Sequence, residues 1–381
     1  MNKFIVLIAL LAGPLVMHAQ IKKATALRMA QSEVERAQAA YRSEAAAAWQ
    51  SKTIRQGDKA MKFETKVFGQ AQPGQRSLYI SLHGGGGTTP EANDKQWQNQ
   101  QRLYTPGEGL YFVPRAPTNT WNLWHEDHID DMIDQVIKSA VILEGVDPNR
   151  VYLLGYSAGG DGLYQLAPRM ADRFAAASMM AGHPGDASAL PLRNLPFAIF
   201  MGAEDAAYDR NKHAAAWGKT LDSLQSADPQ AYLHKVEIYQ GLGHWMNRKD
   251  TVALAWMAGF KRTALPSKVI WVQDDRRHQQ FYWLGATAAA KTGDKAVVSL
   301  DRKGNAIELD ENTFATLHIY LNDDMLDLDK LITLRSNGKT LFRGKLKRSA
   351  NLIKSSAERR LDASQVYSAG LQVAGGSAKP L

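Results

Sequence analysis

The chain contains no cysteine. This absence excludes disulfide bonds, thiolate zinc sites, iron–sulfur clusters and a cysteine nucleophile. It also excludes the lipidated cysteine that a bacterial lipoprotein carries after its signal peptide. Any chemistry must therefore come from oxygen and nitrogen atoms.

The sequence also lacks long blocks of like charge. The formal charge is +8, from 46 Lys and Arg against 38 Asp and Glu, but both signs are interleaved along the chain. A nucleic-acid partner is therefore not expected. The 381 residues are 45% apolar, which is too hydrophobic for a disordered chain and too long for one ordinary domain. Two folded units are expected.

Residues 1–19 resemble a signal peptide. Lys3 precedes an uncharged, largely apolar run from Phe4 to Val16, and Ala19 offers a small residue for cleavage. The run is too short to span a bilayer, and no later stretch has transmembrane length. We expect an exported protein, periplasmic or secreted, without stable membrane insertion after signal removal. The alternative is a buried N-terminal element of a cytosolic protein.

Residues 20–56 form the first of three territories. The segment Ala24 to Ser51 is rich in alanine and free of Gly and Pro. Its apolar residues recur every three or four positions, which predicts an amphipathic helix. They are Leu27, Ala30, Val34, Ala37, Tyr41, Ala45 and Ala48. The favoured interpretation is a helix laid along the domain that follows it, and the alternative is a dimerisation coil or docking arm.

Residues 57–265 alternate between short β-rich runs and helical stretches, which predicts an α/β domain with a mostly parallel sheet and helices on both faces. Strands are predicted at 62–68, 77–82, 110–113, 151–154, 175–180, 197–201 and 236–239. Helices are predicted at 129–143, 160–170, 211–224 and 248–260. In such sheets, ligands bind beyond the carboxyl ends of the strands.

Residues 266–381 are predicted to form a smaller, sandwich-like β-rich domain with one helix near Ala350 to Leu361. Asn337-Gly338 is set for a tight hairpin. Strands are predicted at 269–272, 280–284, 296–300, 306–309, 316–320, 332–334 and 340–343.

The motif Gly155-Tyr156-Ser157-Ala158-Gly159 follows a predicted strand and precedes a helix. This is the strand–turn–helix context of a nucleophile elbow, which lifts a serine hydroxyl clear of the sheet. Upstream, His83-Gly84-Gly85-Gly86-Gly87 follows another strand. The amide of Gly84 or Gly85, with that of Ala158, is the expected oxyanion hole. The alternative is that this glycine run is only a flexible turn.

A serine nucleophile needs a base and an orienting acid. Asp205 follows the strand at 197–201, and His244 follows the strand at 236–239. In folds with this kind of nucleophile elbow, the serine comes first along the chain, the acid second and the histidine third. Ser157, Asp205 and His244 follow that order. Glu204 and Asp209 are rival candidates for the acid.

The segment from Met61 to Leu265 resembles the α/β-hydrolase superfamily, in a secreted bacterial branch akin to esterases and polyhydroxyalkanoate-depolymerase-like enzymes. The motifs around Gly84, Ser157, Asp205 and His244 carry the resemblance. It implies a Ser157–His244–Asp205 triad. The C-terminal territory resembles an accessory β-domain attached to some bacterial hydrolases.

Aromatic and imidazole side chains are expected around the serine. We predict an acyl or aryl pocket lined by Tyr156, Trp121, Trp124, His125 and Trp245. The alternative is that the tryptophans only cover the sheet edge. His125-Glu126-Asp127-His128 lacks the two-His spacing of a zinc protease helix, so no metal is predicted. Only a short loop separates the strands at 175–180 and 197–201, which leaves no room for a helical lid.

The sequence therefore predicts an exported carboxylic ester hydrolase with an open site, acting on a small-molecule or polymer-borne ester without a cofactor. One alternative is a serine peptidase of prolyl-oligopeptidase-like type. The other is a protein that binds an anionic polymer through basic residues of the C-terminal domain. Those residues are Arg343, Lys345, Lys347, Arg348 and Lys354.

Overall fold

The computed structural model describes residues 20–381, so the predicted signal peptide lies outside the described residues. None of the helices within 20–381 has both the length and the apolar character that crossing a membrane would need. The helices are α1 (Lys23–Gln50), α2 (Pro90–Leu103), α3 (Asp127–Glu144), α4 (Ala158–Arg169), α5 (Arg210–Ala227), α6 (Ala253–Ala258) and α7 (Ala350–Arg360).

Eighteen strands form three sheets over these residues. The first eight are β1 (Thr53–Gln56), β2 (Lys59–Phe68), β3 (Arg76–Leu82), β4 (Gly109–Pro114), β5 (Val146–Tyr156), β6 (Ala176–Met180), β7 (Phe197–Gly202) and β8 (His234–Tyr239). The others are β9 (Lys268–Val272), β10 (Gln280–Phe281), β11 (Leu284–Ala286), β12 (Lys295–Asp301), β13 (Ala306–Asn312), β14 (Thr316–Leu321), β15 (Ile332–Ser336), β16 (Lys339–Gly344), β17 (Ala369–Ala374) and β18 (Ser377–Pro380).

The first sheet has the order β1-β2-β4-β3-β5-β6-β7-β8. The pairs β4–β3, β3–β5, β5–β6, β6–β7 and β7–β8 are parallel, whereas the pairs β1–β2 and β2–β4 are antiparallel. Side chains alternate between the two faces, as a strand requires. Leu78 and Ile80 of β3 pack in the core with α3, α4 and α5, whereas Tyr79 packs in the core beside α2 and α6. The predicted fold class, a mostly parallel sheet with helices on both faces and a smaller β-rich domain, is confirmed.

Helix α2 was not predicted from the sequence. Thr89 caps it by accepting a hydrogen bond from the Ala92 N–H, and Pro90 occupies the first turn. Its buried residues are polar, Asn93 and Gln100. No apolar stripe therefore marks this helix in the sequence. The predicted helix at 248–260 is instead a 3₁₀ turn, Lys249–Val252, followed by α6.

The C-terminal region contains two five-stranded sheets, β10-β11-β14-β17-β18 and β16-β15-β13-β12-β9. The Asn337-Gly338 turn joins β15 to β16, with φ of 49° and 77°, as a tight hairpin turn requires. The single strand predicted at 280–284 is two short antiparallel strands, because the chain reverses at Tyr282, where φ is 49°. Strands β17 and β18 were not predicted.

The C-terminal sheets share one hydrophobic core with the large sheet, including the fully buried Trp283. Buried ion pairs also join the two regions: Arg262 binds Asp362 at 2.5 Å, and Arg360 binds Asp172 at 2.5 Å. The region from 266 onward is therefore packed as part of one body with the large sheet.

Helix α1 lies across both regions. Val34 packs with Ile353 of α7, and Trp49 donates a hydrogen bond to Glu144 of α3. Leu27, which the sequence placed in the buried stripe, is 49% exposed, and Ala26 takes the buried position instead. Helix α1 is therefore docked against α3 of the large-sheet region and against α7 of the C-terminal region.

Candidate active site

Ser157 lies between β5 and α4 with a positive φ of 58° and a ψ of −121°. Such a conformation is strained for a residue other than glycine and persists only where its surroundings hold it. The Ser157 N–H donates to the Met180 carbonyl, and the Asp161 N–H donates to the Ser157 carbonyl, at 2.9 Å each. A Cβ at Gly159 would lie 2.3 Å from the Leu82 carbonyl oxygen, so only glycine fits there. These contacts produce the sharp turn that the motif predicted.

Three distant side chains form a continuous hydrogen-bonded series. His244 Nε2 lies 2.9 Å from Ser157 Oγ, and His244 Nδ1 lies 2.7 Å from Asp205 Oδ2. Asp205 is 3% exposed, whereas the His244 side chain is 42% exposed. A buried carboxylate thus faces one ring nitrogen and a serine hydroxyl faces the other.

The two rival acids do not reach the imidazole. Glu204 is exposed, and Asp209 is exposed and pairs with Lys212 at 2.7 Å. Asp205 lies in the loop that follows β7, where its N–H donates to the Gly202 carbonyl and its own carbonyl accepts from the Asn211 N–H, at 3.1 Å each.

The glycine loop is braced by two buried polar side chains. The Ala116 N–H donates to His83 Nε2 at 3.1 Å, so the proton lies on Nδ1, which donates to the Gly84 carbonyl at 2.6 Å. Burial lowers the pKa of His83 to about 3, which keeps the ring neutral. Asn93 accepts a hydrogen bond from the Gly86 N–H at 2.8 Å. The loop is therefore held in one conformation beside Ser157.

The amides predicted for the oxyanion hole lie beside the serine. An added Cβ on Gly84 would lie 3.2 Å from Ser157 Cβ, and Gly85 has φ of 109°. Ala158 is the first residue of α4, where the helix offers its N–H no acceptor.

Two cavities lie next to Ser157 and share Gly85 in their linings. The first, of about 420 Å³, is lined by Gly85, Gly86, Trp121, His125, Ala158, Asp161, Gln165, His183, Gly185, Tyr208 and Arg210. The second, of about 600 Å³, is lined by Gly84, Gly85, Gln96, Asn99, Gln100, Arg102, Leu103, Tyr156, Ser157, His244, Trp245 and Arg248. We call them the Asp161 cavity and the His244 cavity.

Four of the five predicted pocket residues line these cavities, Trp121 and His125 the first and Tyr156 and Trp245 the second. The prediction was wrong for Trp124, which is fully buried. Its indole N–H donates to the His83 carbonyl at 2.7 Å, so this side chain supports the glycine loop from beneath.

Several cavity residues were missed from the sequence. Asp161 lies one helical turn after Ser157 and accepts a hydrogen bond from the His183 N–H at 2.6 Å. Burial raises the pKa of Asp161 to about 6. The spacing from Ser157 was a usable signal for Asp161. Nothing in the sequence marked Arg102, Arg210 or Arg248, because exposed arginines are common.

Across residues 20–381, no group of three or more His, Asp or Glu side chains is arranged to hold a metal ion. In the segment 125–128, His128 and Glu126 form a 3.6 Å contact at the start of α3.

No protein-family model matches the chain, and no curated protein matches it. Among solved structures, a thermostable esterase is 17% identical, with 55% of this chain covering 62% of that one at a TM-score of 0.44. A putative dienelactone hydrolase from Klebsiella pneumoniae is 19% identical, with coverages of 54% and 96% and a TM-score of 0.38. An acetyl xylan esterase from Aspergillus awamori is 14% identical, with coverages of 54% and 97% and a TM-score of 0.35. Similarity at this level carries no conclusion about the activity of this chain.

Proposed function

We propose that this chain is an exported serine hydrolase that cleaves carboxylic esters through an acyl-enzyme intermediate. The observation that carries the proposal is the hydrogen-bonded series from Ser157 through His244 to Asp205, with distances of 2.9 and 2.7 Å. Acid, base and nucleophile in this arrangement activate a hydroxyl that would otherwise be a weak nucleophile.

In the first half-reaction, Ser157 Oγ attacks the ester carbonyl carbon while His244 Nε2 takes the hydroxyl proton. The negative charge that develops on the carbonyl oxygen is stabilised by the N–H groups of Gly84 or Gly85 and Ala158. His244 then gives the proton to the leaving alkoxide oxygen, the carbon–oxygen bond breaks, and an alcohol leaves the acylated serine. Asp205 stabilises the imidazolium and holds the ring orientation.

In the second half-reaction, water attacks the acyl-enzyme. His244 takes one proton from this water and returns it to Ser157 Oγ, so the carboxylic acid leaves and the enzyme is restored. Every proton is moved by the imidazole, so this sequence needs no cofactor.

The loop after β6 supports the expectation of an open site. Residues 181–196 contain a single short 3₁₀ helix, Leu190–Asn194, and both cavities open to solvent at the sheet edge. Such a site fits a soluble ester or one displayed on a polymer better than a lipid at an interface.

The test combines labelling with turnover. Purified protein is treated with a fluorophosphonate probe and assayed with short p-nitrophenyl esters and aminoacyl-anilides. We expect ester cleavage and labelling, both lost in Ser157→Ala, with kcat lowered by about 10⁶-fold. Ser223→Ala, an exposed serine on α5, is the matched control. Cleavage of anilides alone would point to the peptidase alternative, and an unlabelled, inactive wild type would refute the proposal.

Export is tested separately. The full chain, including residues 1–19, is expressed in a Gram-negative host, and the N-terminus of the recovered protein is determined by mass spectrometry. We expect a mature chain that begins at Gln20 and fractionates with the periplasm or medium. An intact Met1 terminus in the cytoplasm would contradict export.

One of the basic residues named for the polymer-binding alternative is buried in this structure. Arg348 is 5% exposed and binds Asp323 at 2.5 Å and Asp329 at 2.8 Å. Its guanidinium is therefore occupied inside the protein, and the prediction that Arg348 would bind an anionic polymer was wrong. Arg343, Lys345, Lys347 and Lys354 are exposed.

A further inference from the structure

The two cavities differ in their relation to the candidate base. His244 and Ser157 line the His244 cavity, whereas the Asp161 cavity reaches the site through Gly85 and Ala158. In ester cleavage the leaving oxygen must come within hydrogen-bond reach of the imidazole that protonates it. The alcohol half of the ester therefore belongs in the His244 cavity. The acyl half then points past the oxyanion amides into the Asp161 cavity.

The cavities also differ in charge. The His244 cavity contains two arginines, Arg102 and Arg248, and no Asp or Glu in its lining. Neither guanidinium forms a direct ion pair with a carboxylate of residues 20–381, although the positive charge of Arg248 acts to lower the pKa of the buried Asp250. In the Asp161 cavity, by contrast, the lining itself contains a carboxylate, Asp161, together with Arg210, whose positive charge acts to lower the pKa of Asp161 against the effect of burial.

The arginines sit on a surface that can hold a small polar molecule. Arg248 donates to the Leu103 carbonyl at 3.1 Å, which holds its side chain against the end of α2. Gln96 and Asn99 present amides from the same face of that helix, since they are three residues apart. Trp245, which is 49% exposed, offers an apolar wall for a carbon skeleton.

We propose that the ester cleaved by this protein has an alcohol half that carries a carboxylate or phosphate group, and that Arg102 and Arg248 bind this anion. The proposal rests on the proposed esterase function and names its substrate class. The reaction is then the hydrolysis of an acylated hydroxy acid or hydroxyalkyl phosphate. Water supplies the hydroxyl of the released acid and the proton of the released alcohol. The free anionic alcohol leaves through the open His244 cavity.

The test holds the acyl group constant and varies the alcohol. Acetyl esters of 3-hydroxybutyrate and of 3-hydroxybutyramide differ only in charge, and a series of longer hydroxy acids measures the reach of the arginines. The acetyl ester of 2-hydroxyethyl phosphate, compared with glycol monoacetate, separates a phosphate preference from a carboxylate preference. We expect kcat/KM for the anionic ester of one of these pairs to exceed that of its neutral partner by about tenfold at low salt. The ratio should shrink in about 0.5 M NaCl, because exposed charges are screened.

Variants of the two arginines test whether these side chains cause the ratio of kcat/KM between the anionic and the neutral ester. Arg102→Gln with Arg248→Gln should bring the ratio close to one. Arg55→Gln, an exposed arginine on β1 that lines neither cavity, should leave the ratio at its wild-type value. Free 3-hydroxybutyrate or 2-hydroxyethyl phosphate, whichever matches the preferred ester, should inhibit wild type competitively and inhibit the double variant about tenfold more weakly. Circular dichroism and thermal melting verify that the variants are folded.

The outcomes separate this inference from the function on which it rests. If the neutral esters are cleaved as well as or better than the anionic ones, or if the ratio survives in the double variant, the inference is refuted while the esterase proposal stands. If no ester is cleaved and Ser157 is not labelled, the esterase proposal itself has failed. Trp121→Ala provides an internal comparison, because it should alter the preference among acyl groups without altering the charge ratio.

Discussion

Replacing Asp205 by asparagine removes one negative charge and almost no volume. The carboxylate is 3% exposed and lies 2.7 Å from His244 Nδ1. Its proposed role is to stabilise the positive imidazole that forms when Ser157 gives up its proton. An asparagine cannot supply that charge. Its amide N–H₂ can also donate to Nδ1, which would leave the wrong nitrogen protonated for proton transfer.

The size of the effect follows from the geometry. Two unit charges about 4 Å apart interact by about 4 kcal/mol at an effective dielectric constant of about 20. At about 1.4 kcal/mol per factor of ten, loss of the charge alone slows the reaction by about 1,000-fold. The tautomer effect adds to this, so a fall in kcat of about 1,000- to 10,000-fold is expected.

The assay is kcat for p-nitrophenyl acetate, with the rate of fluorophosphonate labelling as a second measurement. Glu204→Gln and Asp209→Asn are matched controls, because both carboxylates are exposed neighbours. Each should stay within about twofold of wild type. If Asp205→Asn keeps more than about a tenth of the activity, or if Glu204→Gln loses more than Asp205→Asn, the assignment of the acid is wrong.

Three further perturbations test the site and its support. Gly202→Ala places a Cβ 2.1 Å from the Gly243 carbonyl oxygen and should lower kcat by about 100-fold by shifting the base. Gly243→Ala, whose Cβ has no neighbour within 4 Å, should keep the wild-type melting temperature. Equal melting temperatures of the two variants would contradict this. Because burial raises the pKa of Asp161 to about 6, the folded state binds a proton there more readily than the unfolded state. Relative to Asp161→Asn, wild type should therefore gain up to about 3 kcal/mol in free energy of unfolding as pH falls from about 7.5 to 4, because protonation of the other groups, including the buried His83, acts on both proteins alike; parallel pH profiles of the two proteins in urea unfolding would refute it. Arg262→Met leaves the buried Asp362 carboxylate without its 2.5 Å partner and should cost about 3–5 kcal/mol of stability in the same urea assay, and an unchanged midpoint would show that the two regions are not coupled through this pair.

Short-range patterns in the sequence determined the architecture and the positions of the chemical groups. The glycines around Ser157 act within five residues, since they allow the backbone to turn sharply between a strand and a helix. The strands of the large sheet were predictable because apolar β-rich runs need no distant partner to be recognised. Ser157, Asp205 and His244 each come after a strand of the parallel sheet, so all three lie at the edge where these strands end.

Only the tertiary structure decided which neighbouring residues serve the site and which support it. Asp205 was one of three candidate acids until the packing of its loop against β7 and α5 turned it inward. Trp124 proved to be a buried support, because its indole N–H bonds to the glycine loop at His83, 41 residues away in the chain. Arg348 is paired internally, while Arg102 and Arg248 meet in one cavity although 146 positions separate them in the chain. Burial and charge pairing depend on residues far apart in the chain, and local sequence patterns do not show which distant residues come into contact.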